Sequence, residues 1–182
     1  MKSKKTMVIT RVAILTAMSI ILMRLETPPL FGTSFLKLDV GDVPAALAGV
    51  VFGPLYGLAV VLIKNIINVA ASSSGGIGEI ANFIYGSVLV LSLSFSSKIH
   101  ISKNPNVNMA VMGSIGTVIM TVAAYFINQY LIFPLYTAFM PMEALLAFLP
   151  AVIYFNLMKG AIVSALTLII QKRVRIVLTK GL

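Results

Sequence analysis

The sequence contains no cysteine and no tryptophan, and His100 is its single histidine. The absence of cysteine excludes disulfide bonds and thiolate metal ligands, and one histidine is too few for a histidine-based metal or catalytic cluster. Charged residues make up only 10% of the 182 residues, and five of them are acidic. We therefore expect no metal site, and we expect that the protein is not an enzyme, because acid and base groups have little chance to converge.

Apolar residues make up 59% of the chain, and the mean hydropathy is +1.01. They lie in stretches long enough to cross a hydrocarbon core of about 30 Å, which takes about 20 helical residues, and they lack the alternation of a barrel strand. The first stretch lacks a convincing cleavage site and is expected to be retained. The sequence thus predicts an all-α integral membrane protein with a single domain over residues 1–182.

Charge distribution predicts the number of membrane spans. Residues 43–71 form either one tilted helix or two short helices broken at Gly53-Pro54, because proline disfavours continuing a helix. Two helices give a six-helix bundle with spans at about 6–25, 43–52, 55–71, 79–96, 107–133 and 143–170. Both termini then share a side that holds most of the basic residues and no acid, as expected for the cytoplasmic side. The net charge of +9 therefore indicates topology and not a nucleic-acid surface.

Polar side chains inside these spans are the candidate functional residues. Asn156 and Lys159 lie three residues apart in the last span, and a charge in hydrocarbon requires a partner, a cavity or a ligand. Amides both donate and accept, so they suit a neutral, planar molecule with many hydrogen-bonding groups better than a metal or a bare anion. The other members of this polar set are Lys64, Asn65, Asn68, Asn82, Asn128 and Gln129, and Phe35, Phe83, Tyr85, Tyr125 and Tyr154 are candidates to flank an aromatic ring.

Several of these residues have a structural alternative. Lys64 either contacts a ligand, reaches a lipid headgroup or pairs with Glu79, whose place at a helix start is also explained by the macrodipole. Pro150 predicts a kink in the last span, which would free carbonyl groups next to Asn156. His100 lies between lysines in the loop of residues 97–108 and is expected to be solvated.

Two loops and one helix face complete the pattern. The loop of residues 26–42 contains large apolar side chains that must bury against the bundle or a ligand, so it is a candidate lid. The glycines of residues 72–78 permit positive φ and close backbone approach, but no Walker pattern follows them. Ala13 and Ala17 share a helix face that allows close approach of a helix, either within the bundle or from a separate protein.

Six short segments form a pattern that extends along nearly the whole chain. In order, they are Ala13-xxx-Ala17; Phe35 to Asp39 with Asp42-Val43-Pro44; Phe52-Gly53-Pro54-Leu55 with Gly57; Leu62 to Asn65; Gly75 to Glu79 with Ala81-Asn82-Phe83; and Phe155-Asn156-Leu157-Met158-Lys159-Gly160. Together they resemble the substrate-binding S components of energy-coupling-factor (ECF) vitamin transporters. Gly41 departs from the family pattern, which has serine at that position.

The resemblance is closest to the riboflavin-specific members and implies capture of riboflavin from outside the cell membrane, beneath the first loop. It implies a transmembrane T subunit and two ATPase subunits as partners, no nucleic acid, and no cofactor of the chain's own, since the partners bind ATP. Ala13 and Ala17 would dock the T subunit. The implied ligand-binding residues are Asn128, Asn156 and Lys159 at the ring edge, Leu36, Leu38, Gly75 and Gly76 in the covering loops, and Lys64, Glu79, Asn82 and Tyr125 around them.

Two other classes of function stay open. A membrane enzyme would need acid, base or metal groups that converge in the bilayer, but the five acids are scattered along the outer side and His100 lies in a cytoplasmic loop. A stand-alone secondary transporter could use Lys64, Lys159 and Glu79 to couple a proton or ion to a small polar solute. No inverted internal repeat of the kind found in many such transporters is visible in the sequence. Uptake by the chain alone, without partner subunits, would distinguish this alternative from an S component.

Overall fold

A computed structural model describes residues 4–72, 74–99 and 101–181, so the predictions that involve Ser73 and His100 fall outside the described residues. The described chain is helical, with one π-helical turn in its second half. Its helices are α1 (Lys4–Arg24), α2 (Asp42–Phe52), α3 (Pro54–Val69), α4 (Ile77–Phe95), α5 (Pro105–Ile127), α6 (Phe133–Tyr136), α7 (Met142–Ala147) and α8 (Leu149–Thr179), and the π-helical turn (Asn128–Ile132) joins α5 to α6.

Four stretches are long and apolar enough to cross a membrane: α1, α4, α8 and the continuous stretch Pro105–Tyr136. They confirm the prediction of an all-α membrane protein. The break predicted at Gly53-Pro54 is also present, because Gly53 has φ 117° and Pro54 lies in the first turn of α3. Such a positive φ favours glycine. Proline is tolerated in the first turn of a helix because the backbone N–H groups there have no partner within the helix, so its missing N–H costs no hydrogen bond.

The short helix α2 occupies the centre of the bundle. It has 11 residues, all of those from Asp42 to Val50 are buried, and it contacts α1, α3, α4 and α8. Gly57 of α3 packs against it so closely that an added Cβ would lie 3.0 Å from Gly49 Cα. Small residues let two helix backbones approach in this way, which is a common device in membrane bundles.

The lid loop (residues 25–41) connects α1 to α2, and its last residue, Gly41, lies against α1. The Ser19 hydroxyl of α1 donates a hydrogen bond to the Gly41 carbonyl at the end of this loop. A Cβ at Gly41 would lie 2.8 Å from the Ser19 carbonyl oxygen. Close backbone approach therefore explains the glycine at this position, and it brings the start of α2 into the bundle interior.

Two features of the second half differ from the predicted spans. Residues 143–170, predicted as one span, are divided between α7 and the longer α8. Pro150 lies in the first turn of α8, where no N–H donor is required, so the predicted kink before Asn156 is wrong. At its other end α8 lies beside α1, since the Arg11 guanidinium donates hydrogen bonds to the Leu178 and Lys180 carbonyls at 2.5 and 2.6 Å.

Candidate functional site

A cavity of about 590 Å³ opens between the lid loop, the α3–α4 loop and helices α4, α5 and α8. Its volume lies within the range of roughly 300–1,000 Å³ that is typical of small-molecule sites. Apolar and aromatic side chains form much of the wall, and amide and charged groups lie among them. The wall includes Met23, Phe35, Leu36, Tyr85, Met120, Ile132, Tyr136, Leu145, Val152 and Phe155.

Two buried amides provide hydrogen-bonding groups on this wall. Asn128 begins the π-helical turn, and its Nδ2 donates to the Tyr85 hydroxyl and to the Ala124 carbonyl, both at 2.7 Å. Asn156 Nδ2 donates to the Val152 carbonyl at 2.9 Å. With the amides assigned in this orientation, the described residues donate no hydrogen bond to either Oδ1 atom. Both amide oxygens are therefore available to accept from a ligand.

A cluster of four buried charges lies beside the amides. Lys159 Nζ of α8 lies 2.7 Å from Asp39 Oδ2 and 3.5 Å from Asp42 Oδ2, and it donates to Asn82 Oδ1 at 3.1 Å. Lys64 Nζ of α3 lies 2.6 Å from Asp42 Oδ1 and 3.9 Å from Asp39 Oδ1. We call Asp39, Asp42, Lys64 and Lys159 the charge cluster.

The charge cluster is electrically balanced, with two carboxylates and two ammonium groups. None of the four residues is more than 7% exposed. Burial acts to raise the pKa of the Asp39 carboxyl, but the Lys159 and Lys64 ammonium groups and the Gly41 N–H act to lower it, and its pKa lies below the ordinary value. The two ammonium groups therefore favour the ionised form of Asp39, and mutual pairing is what makes four buried charges tolerable.

A separate carboxylate, Glu79, lies on the cavity wall one helical turn before Asn82. Glu79, in the first turn of α4, accepts hydrogen bonds from Asn68 Nδ2 at 2.9 Å and from the Ser72 hydroxyl at 2.6 Å. Within the described ranges Glu79 makes no salt bridge. Gly75 and Gly76 precede α4 with φ values of 61° and 93°, which places the loop beside the carboxylate. Glu79 can therefore accept further hydrogen bonds from a polar ligand.

The lid loop is ordered by contacts of its own. Its two arms are joined by a backbone bond from Thr27 N to Leu38 O at 2.9 Å and by an exposed salt bridge between Glu26 and Lys37 at 2.5 Å. Phe35 at its inner side packs against three rings, Phe133, Tyr136 and Phe148, at centroid distances of 5.2–6.2 Å. The loop therefore covers the cavity and contributes residues 34–37 to its wall.

Comparison with known proteins assigns a family to this arrangement. Residues 7–171 match the family described as ECF transporter, substrate-specific component. The chain belongs to this family. It is thus the substrate-specific component, or S component, of a transporter and not an enzyme.

Relatives of this S component carry a consistent description. The riboflavin transporter FmnP of Bacillus subtilis is 35% identical over 173 residues, which cover 90% of this chain and 88% of that protein. The riboflavin transporter RibU of Streptococcus thermophilus is 30% identical over 93% of this chain and 83% of its own length. RibU of Staphylococcus aureus is 27% identical over 89% of this chain and 87% of its own length.

A solved structure agrees with the fold of this S component. The S component of a bacterial ECF transporter superposes with a TM-score of 0.81 at 27% identity, covering 97% of this chain and 99% of that one. Residues 26–42, predicted as a lid, and the helices around the cavity therefore belong to an architecture already seen in the family.

The ligand-binding residues predicted from the sequence divide into two groups in this S component. Those on the cavity wall are Leu36, Glu79, Asn82, Asn128, Asn156 and Lys159. Those that do not line it are Leu38, Lys64, Gly75, Gly76 and Tyr125. Lys64 lies behind the wall and pairs with Asp42, not with Glu79 or a headgroup. Tyr125 lies with Tyr154 in a second, apolar groove.

Sequence reasoning missed the partners of the two buried lysines. The predicted six spans leave all five acids on the outer side, whereas the structure buries Asp39 and Asp42 inside the bundle. The signal that could have found them is their spacing: two acids three residues apart at a helix start, in a chain with two lysines inside its apolar spans. Buried charges of one sign require an equal number of the other.

Proposed function

We propose that this S component binds riboflavin in the cavity beneath the lid loop, taking it from the outer side of the cell membrane. The observation that carries the proposal is the composition of the wall, where amide oxygens and aromatic rings line one cavity of about 590 Å³. A flavin ring presents N–H and carbonyl groups along one edge and an apolar face, so amides and rings complement it. The names of the relatives support the same ligand.

Different groups on the cavity wall suit the ring and the ribityl chain of riboflavin. The ring edge would meet Asn128, Asn156 and the Lys159 region, where buried hydrogen-bonding groups are concentrated. The ribityl chain carries hydroxyl donors, and Glu79 offers a carboxylate that no cation in the described residues neutralises. Phe35 and Leu36 of the lid loop would then cover the ring.

The membrane arrangement we propose is a single domain that crosses the cell membrane six times, with both termini in the cytoplasm. The lid loop and the cavity mouth then face outward. The end of the bundle where Arg11 contacts the α8 terminus carries the basic residues Lys172, Arg173 and Arg175 in α8. An excess of cations on the cytoplasmic side supports this orientation.

The partners we propose are a transmembrane T subunit and two ATPase subunits, with ATP bound only by the latter. The outer surface of α1 supports a docking role, because Ala13 and Ala17 are both exposed. The apolar side chains Ile14 and Met18 beside them are 55% and 47% exposed. Two small residues among larger exposed ones form a shallow groove into which a partner helix can pack. We propose no cofactor for this chain beyond riboflavin as cargo.

Colour tests the ligand directly. The protein purified in detergent from riboflavin-supplied cells should be yellow, and a flavin absorption spectrum should remain with the protein peak during gel filtration. A colourless protein that also fails to quench added riboflavin fluorescence would overturn the proposal.

Uptake tests the class of transporter. Proteoliposomes with the complete complex should accumulate riboflavin only with ATP, whereas those with this chain alone should not. Uptake by the chain alone along an ion gradient would favour a secondary transporter. The charge cluster argues against that alternative, because both buried lysines already have carboxylate partners.

A further inference from the structure

Asp39 is the residue through which the lid loop contacts the charge cluster. It belongs to residues 25–41, yet it is only 5% exposed and its carboxylate lies on the cavity wall. Its Oδ2 accepts from Lys159 Nζ at 2.7 Å, and its Oδ1 accepts from the Gly41 N–H at 2.8 Å. One carboxylate thus connects the lid loop to α8.

The other contacts of the lid loop are of a different kind. Phe35 packs on aromatic rings, Glu26 pairs with Lys37 inside the loop at the surface, and backbone bonds join the two arms. Within residues 4–72, 74–99 and 101–181, Asp39 provides the ion pairs that join this loop to helices beyond it, a close one with Lys159 at 2.7 Å and a longer one with Lys64 at 3.9 Å. Exposed ion pairs contribute little, whereas separating a buried pair leaves uncompensated charges.

Lys159 depends on the same contact for its position. Its ammonium group has three N–H donors, and the surrounding acceptors are Asp39 at 2.7 Å, Asn82 at 3.1 Å and the Asp42 carboxylate at 3.5 Å. Without Asp39, the nearest remaining carboxylate is the one that Lys64 already occupies at 2.6 Å. The ammonium group would then be free to move away from Asn82.

We propose that Asp39 is a positioning residue that fixes the Lys159 ammonium group on the cavity wall and, through that ion pair, holds the lid loop closed. Loop opening separates Asp39 from Lys159, so entry and exit of cargo both require that this ion pair be broken. The closure does not depend on which molecule fills the cavity. The effect on cargo exchange rests on the proposed riboflavin binding, whereas the effect on the loop does not.

The chain contains no cysteine, so a single introduced cysteine can be labelled selectively. Its labelling rate measures loop opening without any ligand. Leu36→Cys places one thiol on the cavity wall at a lid position that is 8% exposed, so a maleimide reacts with it only when the loop opens. We expect Asp39→Asn in this background to raise the labelling rate about tenfold or more, as loss of a buried ion pair predicts. Glu26→Gln is the matched control, since it removes an exposed ion pair of the same loop, and it should change the rate less than about twofold.

Equal labelling rates for Asp39→Asn and the Leu36→Cys background would overturn the proposal. If Asp39→Asn does not fold, as judged by gel filtration, the labelling rate is measured instead in the double variant Asp39→Asn with Lys159→Met, which removes both charges of the ion pair. Faster labelling of that double variant supports the ion pair as the closure, and an unchanged rate overturns it.

Cargo kinetics provide the second readout. Stopped-flow release of riboflavin should be about tenfold faster for Asp39→Asn and should change less than about twofold for Glu26→Gln. Equal release rates for Asp39→Asn and the unaltered chain would overturn the coupling. The two proposals can also fail separately. If the protein does not bind riboflavin but Asp39→Asn still speeds the labelling of Leu36→Cys, the proposed cargo is refuted and the positioning role is supported.

Discussion

Lys64 Nζ lies 2.6 Å from Asp42 Oδ1, and both residues are 0% exposed. The pair joins α3 to the first residue of α2. Helix α4 approaches the same carboxylate at Gly86, where an added Cβ would lie 2.8 Å from Asp42 Oδ1. Three helices therefore meet at one buried ion pair, which makes it a structural centre of the bundle and not a surface of the cavity.

Removal of one member of this pair should destabilise the bundle. Lys64→Met leaves the Asp42 carboxylate buried without its nearest cation, which typically costs about 3–5 kcal/mol. Denaturant unfolding of the purified protein in detergent should show this loss. Lys98→Met is the control, because Lys98 is exposed, and it should leave the unfolding midpoint unchanged. Equal midpoints for the two variants would contradict the structural role of Lys64.

The Asn156 amide should contribute to cargo affinity. Asn156→Leu removes a hydrogen-bonding group from the cavity wall and should weaken riboflavin binding by about 1–3 kcal/mol, or roughly 5- to 150-fold in Kd. The Kd is measured by titrating riboflavin with the purified protein and following the quenching of flavin fluorescence.

Asn65→Leu provides a matched control for that measurement. Asn65 is also buried, and its Nδ2 donates to the carbonyl four residues earlier, Val61 O at 2.7 Å, as Asn156 does to Val152. It does not line the cavity, so its replacement should affect stability but not Kd. An Asn156→Leu variant with wild-type affinity would remove Asn156 from the proposed site.

The all-helical fold and the break between α2 and α3 could be predicted from the sequence because they depend on local properties of the chain. Apolar length predicts the long helices, and the Gly53-Pro54 dipeptide combines a positive φ with a residue that begins a helix. Pro150 shows the limit of this reasoning. The same residue type predicts a kink inside a helix and a normal first turn at its start, so the prediction failed where the helix boundary was misplaced.

The charge cluster could not be predicted from local patterns because it joins distant parts of the chain. Lys159 and Asp39 are 120 residues apart, and they meet where the end of the lid loop lies against α1 at Gly41. The π-helical turn at Asn128 likewise has no clear sequence signal, although it positions a predicted residue. Sequence reasoning found the polar residues and not their partners.

Two single cysteines should test the proposed orientation in the membrane. Ser34, in the lid loop, and Ser97, after α4, are both exposed serines in a chain without cysteine. A membrane-impermeant maleimide added to intact cells should label Ser34→Cys but not Ser97→Cys, and permeabilised cells should show labelling of both. Labelling of Ser97→Cys in intact cells would contradict cytoplasmic termini.

The α1 surface should be required for transport but not for cargo binding. Ala13→Leu with Ala17→Leu fills the groove between exposed side chains and should abolish riboflavin uptake in cells that contain the partner subunits, because a partner helix can no longer pack closely. Affinity of the purified variant for riboflavin should be unchanged, since neither alanine lines the cavity.

The exposed face of α8 offers a matched control for this docking surface. Ala161 and Ala165 are exposed and have the same spacing of four residues, so Ala161→Leu with Ala165→Leu adds the same volume to another lipid-facing helix. Uptake should persist in that variant. Loss of uptake in both variants would show that added bulk impairs the protein generally, and retained uptake in the α1 variant would exclude Ala13 and Ala17 from docking. Only selective loss in the α1 variant identifies that helix as the surface for the T subunit.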